Sequence, residues 1–261
     1  MSLQPFLMAV IIFIFGTCIG SFLNVCIYRL PREQSVIFPS SSCPNCGHKI
    51  KFWENIPILS YIFLKGKCSC CNKKISIKYP VVELLTGLFA LFLWQKFHLS
   101  ASFFIYFIFT SALIVITFID LEHKIIPDTI SLPGIVIGFI SSFFLPEIDW
   151  FDSLMGILIG GGILYAVTWG YYLLTKKIGM GGGDIKLLAM IGSFLGWKSI
   201  PFIIFISALT GSIIGISYIL IKKHDKHYEI PFGPFLAFAA LLQLFFSNEI
   251  LTSYYNLFSF H

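Results

Sequence analysis

Gly179-Met180-Gly181-Gly182-Gly183-Asp184-Ile185-Lys186 stands between two apolar runs, and four of its eight residues are glycine. Its one carboxylate, Asp184, sits where the second run begins. An ionisable group beside a membrane span is expensive, so by default it marks a functional site. A second acid, Asp120, closes the run Ser111-Ala112-Leu113-Ile114-Val115-Ile116-Thr117-Phe118-Ile119. The reading of the chain turns on whether these two aspartates meet.

The composition decides the solvent. The 261 residues are 57% hydrophobic and only 12% charged, with a mean hydropathy of +0.85. A soluble domain carries about twice that charged fraction. A soluble globular protein is thereby excluded, and the lipid bilayer is the expected environment. Eight apolar spans are expected, over about 5–27, 80–97, 101–119, 129–146, 153–174, 184–197, 201–221 and 232–247. The first is too long for a signal-peptide core and has no basic residue ahead of it, so it reads as a retained span. The sixth is short for a bilayer that needs about 20 residues, and reads as tilted or set in thinned lipid.

Charge then orients the spans. Loop 28–79 carries nine Lys/Arg, and loops 120–128, 175–186 and 222–231 carry one, three and three, which together are sixteen of the eighteen basic residues. Lys96 and Lys198 lie on the other side with Glu147, Asp149, Asp152 and Glu249. The positive-inside rule places both termini outside and the four basic loops in the cytoplasm. Asp120 and Asp184 then fall at cytoplasmic span ends, at one depth and on one side. The pairs Gly16/Gly20, Gly156/Gly160 and Gly211/Gly215 have the spacing that lets helix backbones approach closely, and read as packing faces.

Five of the seven cysteines fall in the first basic loop. Cys43-Pro44-Asn45-Cys46 and Cys68-Ser69-Cys70-Cys71 are two C-x-x-C turns, a spacing that presents two sulfurs to one ion. Together they read as a tetrahedral zinc site of Cys43, Cys46, Cys68 and Cys71. Cys70 and His48 are alternative ligands. Four sulfurs leave no open position, so the metal's expected role is structural. Glu83, at the start of the second span, reads equally as a helix-start charge and as a site residue.

The three acids around the third span differ in kind. Asp128 follows Pro127 and precedes a span, which is a helix-cap position. Glu122 and His123 read as solvated. Asp120 has no local structural task. Asp184 could cap a helix too, but Gly181, Gly182 and Gly183 give backbone freedom for positive φ and room for a second chain. Lys186 does not complete a phosphate loop, because the run is not G-x-x-x-x-G-K-[S/T]. Two aspartates that share a proton are the working parts of an aspartic protease, one activating water and the other hydrogen-bonding the scissile carbonyl. A transporter with carboxylates as an ion relay, and a zinc-knuckle membrane scaffold without chemistry, are the competing readings. A relay predicts acids midway along several spans, and these acids crowd one end.

Gly181-x-Gly183-Asp184 is the G-x-G-D motif of intramembrane aspartic peptidases. Its surroundings, Gly179 to Leu188, closely resemble the bacterial type IV prepilin peptidases. So do Gly20-Ser21-Phe22-Leu23-Asn24-Val25, Tyr28-Arg29-Leu30-Pro31, Glu54-Asn55-Ile56-Pro57, Tyr79 to Gly87, Phe118 to Asp128 and Pro231 to Ala237. The resemblance covers nearly the whole chain in the family's order. It implies an all-α polytopic membrane protein of about eight transmembrane helices, with a cytoplasmic zinc-knuckle loop between the first and second. Residues 1–79 would be the first span plus the methyltransferase-associated cysteine loop, and residues 80–261 the aspartic peptidase domain. The family cleaves the basic leader of type IV prepilins and type II secretion pseudopilins after a glycine, on the cytoplasmic side of the bacterial inner membrane. It also methylates the new N-terminal residue with S-adenosylmethionine. The catalytic pair maps onto Asp120 and Asp184, with Gly181, Gly183 and Lys186 supporting. No G-x-G-x-x-G loop follows a strand, so the cofactor's site is not legible. The partners implied are pilin substrates and lipid, with no nucleic acid. One departure is Asn72, where a glycine often follows the last knuckle.

Overall fold

A computed structural model describes residues 3–177, 181–222 and 231–258. Gly179, Met180 and most of the basic loop 222–231 lie outside the described residues. Among those described there is no strand, and helices occupy the apolar runs, because a backbone in lipid must satisfy its own polar groups. The helices are α1 (Leu3–Arg29), a short α2 (Leu59–Phe63), α3 (Lys78–Phe97), α4 (Ala101–His123), α5 (Asp128–Ser141), α6 (Trp150–Thr175), α7 (Gly182–Leu195), α8 (Ile200–Lys222) and α9 (Gly233–Phe258). The chain forms two compact units, Met1–Val115 and Ile116–His261.

Among the described residues, five helices are long and apolar enough to cross a membrane: Gln4–Arg32, Lys78–Phe97, Ala101–His123, Trp150–Thr175 and Trp197–Tyr218. Asp128–Ser141 and Gly233–Ser247 are apolar but shorter. The 14 residues of α7 reach only about 21 Å at 1.5 Å per residue, against a hydrocarbon core of about 30 Å. Of the eight expected spans, length and composition therefore establish five. Leu187 to Phe194 are all buried, because α7 is enclosed by α5, α6 and α9.

In the first unit, α1 lies along α3. A Cβ on Gly20 would stand 2.7 Å from the Glu83 Cα, and one on Gly16 would stand 2.7 Å from the Ala90 Cβ. This pair of glycines is the close-approach face that its spacing predicts. In the second unit Gly156 meets Gly192 backbone to backbone, and a Cβ on Gly160 would lie 2.7 Å from the Leu188 carbonyl oxygen. Beside that contact the Ser153 hydroxyl donates to the Ser193 carbonyl at 2.7 Å. At Gly211 the nearest neighbour is the Phe235 ring at 3.4 Å, an ordinary contact rather than a backbone crossing.

The helix α4 runs past Asp120 to His123. Nothing in Leu121-Glu122-His123 breaks it. It stops at Lys124, which adopts φ 55° and donates its amide to the Asp120 carbonyl at 2.9 Å. Asp120 is thus inside the last turn of the helix and not at its end.

Gly156→Val drives a side chain into the Gly192 carbonyl, which cannot rotate away. It is expected to destabilise the second unit by about 1–3 kcal/mol, seen as a lower unfolding temperature of the full-length protein in detergent. Gly162→Ala, on the same helix but with open space at its Cβ, leaves that temperature unchanged or raises it.

Candidate functional site

The second unit builds its site from three chain segments. Asp120, on α4, is 4% exposed. Its Oδ2 accepts the backbone N–H of Gly233 at 3.0 Å, at the start of α9. Asp184 lies in the first turn of α7, whose N-cap is Gly181, and is half-buried. The two carboxyls are close enough for the charge of one to act on the other. The structure thus brings together the two aspartates that are 64 positions apart in the chain (184 − 120).

Ile126, in the loop between α4 and α5, fits this site together. A Cβ on Gly183 would stand 2.9 Å from the Ile126 Cβ. A Cβ on Gly233 would stand 3.2 Å from the Ile126 Cδ1 and 2.6 Å from Asp120 Oδ2. Gly183 and Gly233 are therefore glycines for reasons of space. Left-handed backbone, expected for the glycine run, is absent from the described part of it: Gly181 has φ −70°, and the described glycines with positive φ are Gly47, Gly66 and Gly196.

Asp128 does not cap α5. Pro127 occupies the cap position, its ring φ already suited to a helix entry. The Asp128 carboxylate instead takes Lys186 Nζ at 2.8 Å on Oδ1 and 2.7 Å on Oδ2. Both side chains are partly exposed, at 54% and 38%, so the pair contributes little stability. It does tie the start of α5 to the first turns of α7, two residues beyond Asp184. Sequence reasoning missed Gly233, Ile126 and the Asp128–Lys186 pair. The only signal was the density of Pro and Gly in Pro231-Phe232-Gly233-Pro234.

The first unit holds the cysteines. Each C-x-x-C sits in a turn closed by an isolated antiparallel bridge, Ser42 with Lys49 and Lys67 with Lys74. The turns match bond for bond. Gly47 donates to the Cys43 carbonyl at 2.9 Å, and Asn72 to the Cys68 carbonyl at 3.0 Å. Gly47 has φ 70° and Asn72 φ 56°, so Asn72 is the glycine's counterpart, and asparagine is among the few residues that enter this region readily. The sulfurs of Cys43, Cys46, Cys68 and Cys71 all lie within 4.8 Å of one another, with Cys43 to Cys71 at 3.9 Å and Cys46 to Cys68 at 4.0 Å. A tetrahedral ion with Zn–S bonds near 2.3 Å puts sulfurs about 3.8 Å apart, so the donor set and its spacing fit zinc. Cys70 is exposed and outside the cluster.

Electrostatics divide the cluster: Cys43 and Cys68 are held down, whereas at Cys46 the His48 amide is outweighed by burial and the neighbouring sulfurs, which push the thiol up to about 12. The backbone amides of Asn45 and Cys46 point at the Cys43 sulfur and hold its thiol down at about 6. The amides of Cys71 and Cys70 lower Cys68 likewise. His48 turns to Glu54, with Nε2 3.2 Å from Oε2. The Ser69 hydroxyl, the Lys51 amide and His48 hold the Glu54 carboxyl down at about 2.

Between the end of α1, this loop and the start of α3 is a cavity of about 780 Å³. Its wall includes Asn24, Tyr28, Asn55, Tyr61, Tyr79 and Glu83. Glu83 is 8% exposed, and its Oε2 accepts the Ile58 amide at 2.7 Å.

Comparison with known proteins gives a consistent result. Residues 14–97 match the family described as Bacterial Peptidase A24 N-terminal domain, and residues 107–216 match the Type IV leader peptidase family. The chain is 36% identical over 275 residues to a protein of Aeromonas salmonicida (strain A449) named prepilin leader peptidase/N-methyltransferase, a match covering 96% of this chain and 94% of that protein. Proteins of the same name in Pseudomonas putida and Dichelobacter nodosus are 32% identical over 282 residues and 37% identical over 266. These cover 100% and 91% of this chain, and 98% and 91% of theirs. No solved structure gives a significant match. With both halves matched and relatives aligned along nearly its whole length, the chain belongs to the type IV leader peptidase family.

Proposed function

We propose that this protein removes the basic leader of type IV prepilins or type II secretion pseudopilins after a glycine, and methylates the new N-terminal residue with S-adenosylmethionine. The observation that carries the first half is that Asp120, buried and anchored by the Gly233 amide, and Asp184 lie within range of each other's charge. One carboxylate takes a proton from water, and the protonated partner donates to the scissile carbonyl. Gly181, Gly183 and Lys186 keep Asp184 in place, Lys186 through Asp128. The relatives' shared name supports both activities.

The basic loops support an orientation with both termini outside and the aspartates at the cytoplasmic face of the bacterial inner membrane. There they meet the bond between a pilin's apolar helix and its leader. Residues 1–79 carry the methyl-transfer region and residues 80–261 the cleavage. Cys43, Cys46, Cys68 and Cys71 hold a structural zinc ion, which fixes the fold of the loop. S-adenosylmethionine supplies an electrophilic methyl group.

Asp120→Asn and Asp184→Asn are each expected to lower leader cleavage by on the order of 10² to 10⁴, with zinc content and unfolding temperature unchanged; full cleavage by either purified variant overturns the assignment. Metal analysis of the purified protein is expected to find about one zinc per chain. Cys43→Ser lowers that content, and Cys70→Ser does not. Zinc retention lost with Cys70→Ser would move the ligand set.

A further inference from the structure

Two helical turns of the cysteine loop carry an apolar surface that the chain leaves uncovered. A 3-10 turn covers Phe52–Asn55, and α2 packs beside it. Phe52 is 88% exposed and Phe63 80%, and Trp53, Ile56, Leu59 and Ile62 are exposed with them. Large apolar side chains are common on a surface one at a time; six on two packed turns call for a partner. The turns are folded, not loose. The Lys51 amide donates to Glu54 Oε2 at 2.9 Å. The Tyr61 ring packs on Gly66, where a Cβ would stand 3.0 Å from ring atoms, and the Tyr61 hydroxyl donates to the Ile75 carbonyl at 3.4 Å.

Hydrogen bonds fix the level of this surface. The loop leaves α1 and enters α3, and both helices are long and apolar enough to cross a membrane. The Arg29 guanidinium donates to the Ser35 and Pro39 carbonyls at 2.9 and 2.6 Å, and the Asn24 amide donates to the Tyr79 carbonyl at 3.0 Å. The Ile58 amide, between the two turns, donates to Glu83 Oε2 at 2.7 Å. Glu83 is the sixth residue of α3, about 8 Å along its axis. The 20 residues of α3 reach about 30 Å, the thickness of the hydrocarbon core, with none to spare. Its second turn then lies at the edge of the apolar layer, and the Ile58 bond holds the two loop turns down to that edge. Charge names the lipid. Residues 34–77 hold six lysines and one acid, and that acid, Glu54, is taken by His48 and the Lys51 amide. Lys51, Lys65 and Lys67 flank the apolar turns and are exposed, with the Lys51 amine 5.3 Å from the Trp53 ring centroid. Apolar and aromatic side chains among lysines suit the boundary of headgroup and acyl chain, with the amines on phosphates.

We propose that residues 51–67 are an interfacial membrane anchor, with Phe52, Trp53, Leu59, Ile62 and Phe63 set among the acyl chains and Lys51, Lys65 and Lys67 on the phosphates of anionic phospholipids. The cysteine loop is then docked flat on the bilayer surface and does not project into solvent. This placement requires only that α1 and α3 cross the bilayer, and no part of it uses the cleavage or methyl-transfer reading.

The test places the photoreactive p-benzoylphenylalanine at Phe52, Phe63 or Ile14, one at a time, in the full-length protein in nanodiscs of equimolar phosphatidylglycerol and phosphatidylcholine. Ile14 is exposed on α1 and serves as the membrane reference. Illumination is expected to give lipid adducts at positions 52 and 63 in yields comparable to position 14, with phosphatidylglycerol favoured. Lys51→Gln is expected to lower that preference at position 52 by about fivefold, the effect of one basic residue at an anionic surface. Its unfolding temperature stays at the wild-type value, because the exposed amine is all that changes. No lipid adduct at 52 and 63 while position 14 is labelled, or a preference that Lys51→Gln leaves within about twofold, overturns the anchor. So do adducts that pass from lipid to pilin when a prepilin is reconstituted alongside, which would make the surface a protein-docking face. No lipid adduct at position 14 overturns the membrane crossing of α1 itself. Hydroxyl-radical footprinting of the wild type in the same nanodiscs needs no variant: Phe52 and Phe63 are expected to be labelled as slowly as Phe92, exposed on α3, and faster labelling overturns the anchor.

Discussion

The hydrogen bond from the Gly233 amide to Asp120 Oδ2, at 3.0 Å, joins the start of α9 to the last turn of α4. A carboxyl that is 4% exposed on an apolar helix must find donors within the protein, because none are available in lipid. A helix start is a ready source, since its first amides have no partner within the helix. The requirement propagates. For the amide to reach the carboxyl, residue 233 must lack a side chain, since a Cβ would come 2.6 Å from Asp120 Oδ2. Ile126 then fills the space beside both, and Gly183 must lack a side chain to admit Ile126. One buried acid thus fixes two glycines, one isoleucine and the meeting of three chain segments.

The same economy of space governs the scaffold behind Asp184. The Gly156–Gly192 contact and the Gly160–Leu188 contact let α6 approach α7 at backbone distance. Close approach gives dense packing where no hydrophobic effect drives helices together. It also lets a helix of 14 residues be held on several sides rather than by lipid. Its first turn, which carries Asp184, is thereby held by protein contacts. The Asp128–Lys186 pair adds direction more than stability. It is exposed enough to be screened, yet its two short contacts set how the first turns of α7 face the loop that carries Ile126.

What was legible in the sequence follows the range over which each constraint acts. The four sulfurs were readable because C-x-x-C is a local device: two turns of the same build, each closed within a few residues. The choice of Cys71 over Cys70 followed from matching spacings, and the departure at Asn72 resolves into a left-handed residue with φ 56°. Asp120 and Asp184 stand out in the sequence because each is an acid at the end of an apolar run, and the structure puts each within range of the other's charge. Gly233 was not readable, since its partner lies 113 residues away and the contact is steric. Asp128 was misread because its local role, a cap after proline, outweighed a partner 58 positions off. The glycine run was credited with left-handed freedom. At Gly183 the requirement is space, and only the position of Ile126 shows it.

The cysteine cluster carries the remaining step. Four thiolates around one tetrahedral ion leave no position for water or substrate, so such an ion acts through shape alone. The loop around the four sulfurs has a specific shape. The two knuckles hold the loop that brings the Ile58 amide to Glu83 and Tyr61 onto Gly66. The Arg29 contacts to Ser35 and Pro39 close the same loop onto α1. Without cross-links, a polar loop between residues 30 and 77 that has only short helical turns buries too little apolar surface to hold such a cavity open. The cysteine cluster lies in the loop and the acid on α3, so different parts of the chain set the order of the wall and the position of the charge within it.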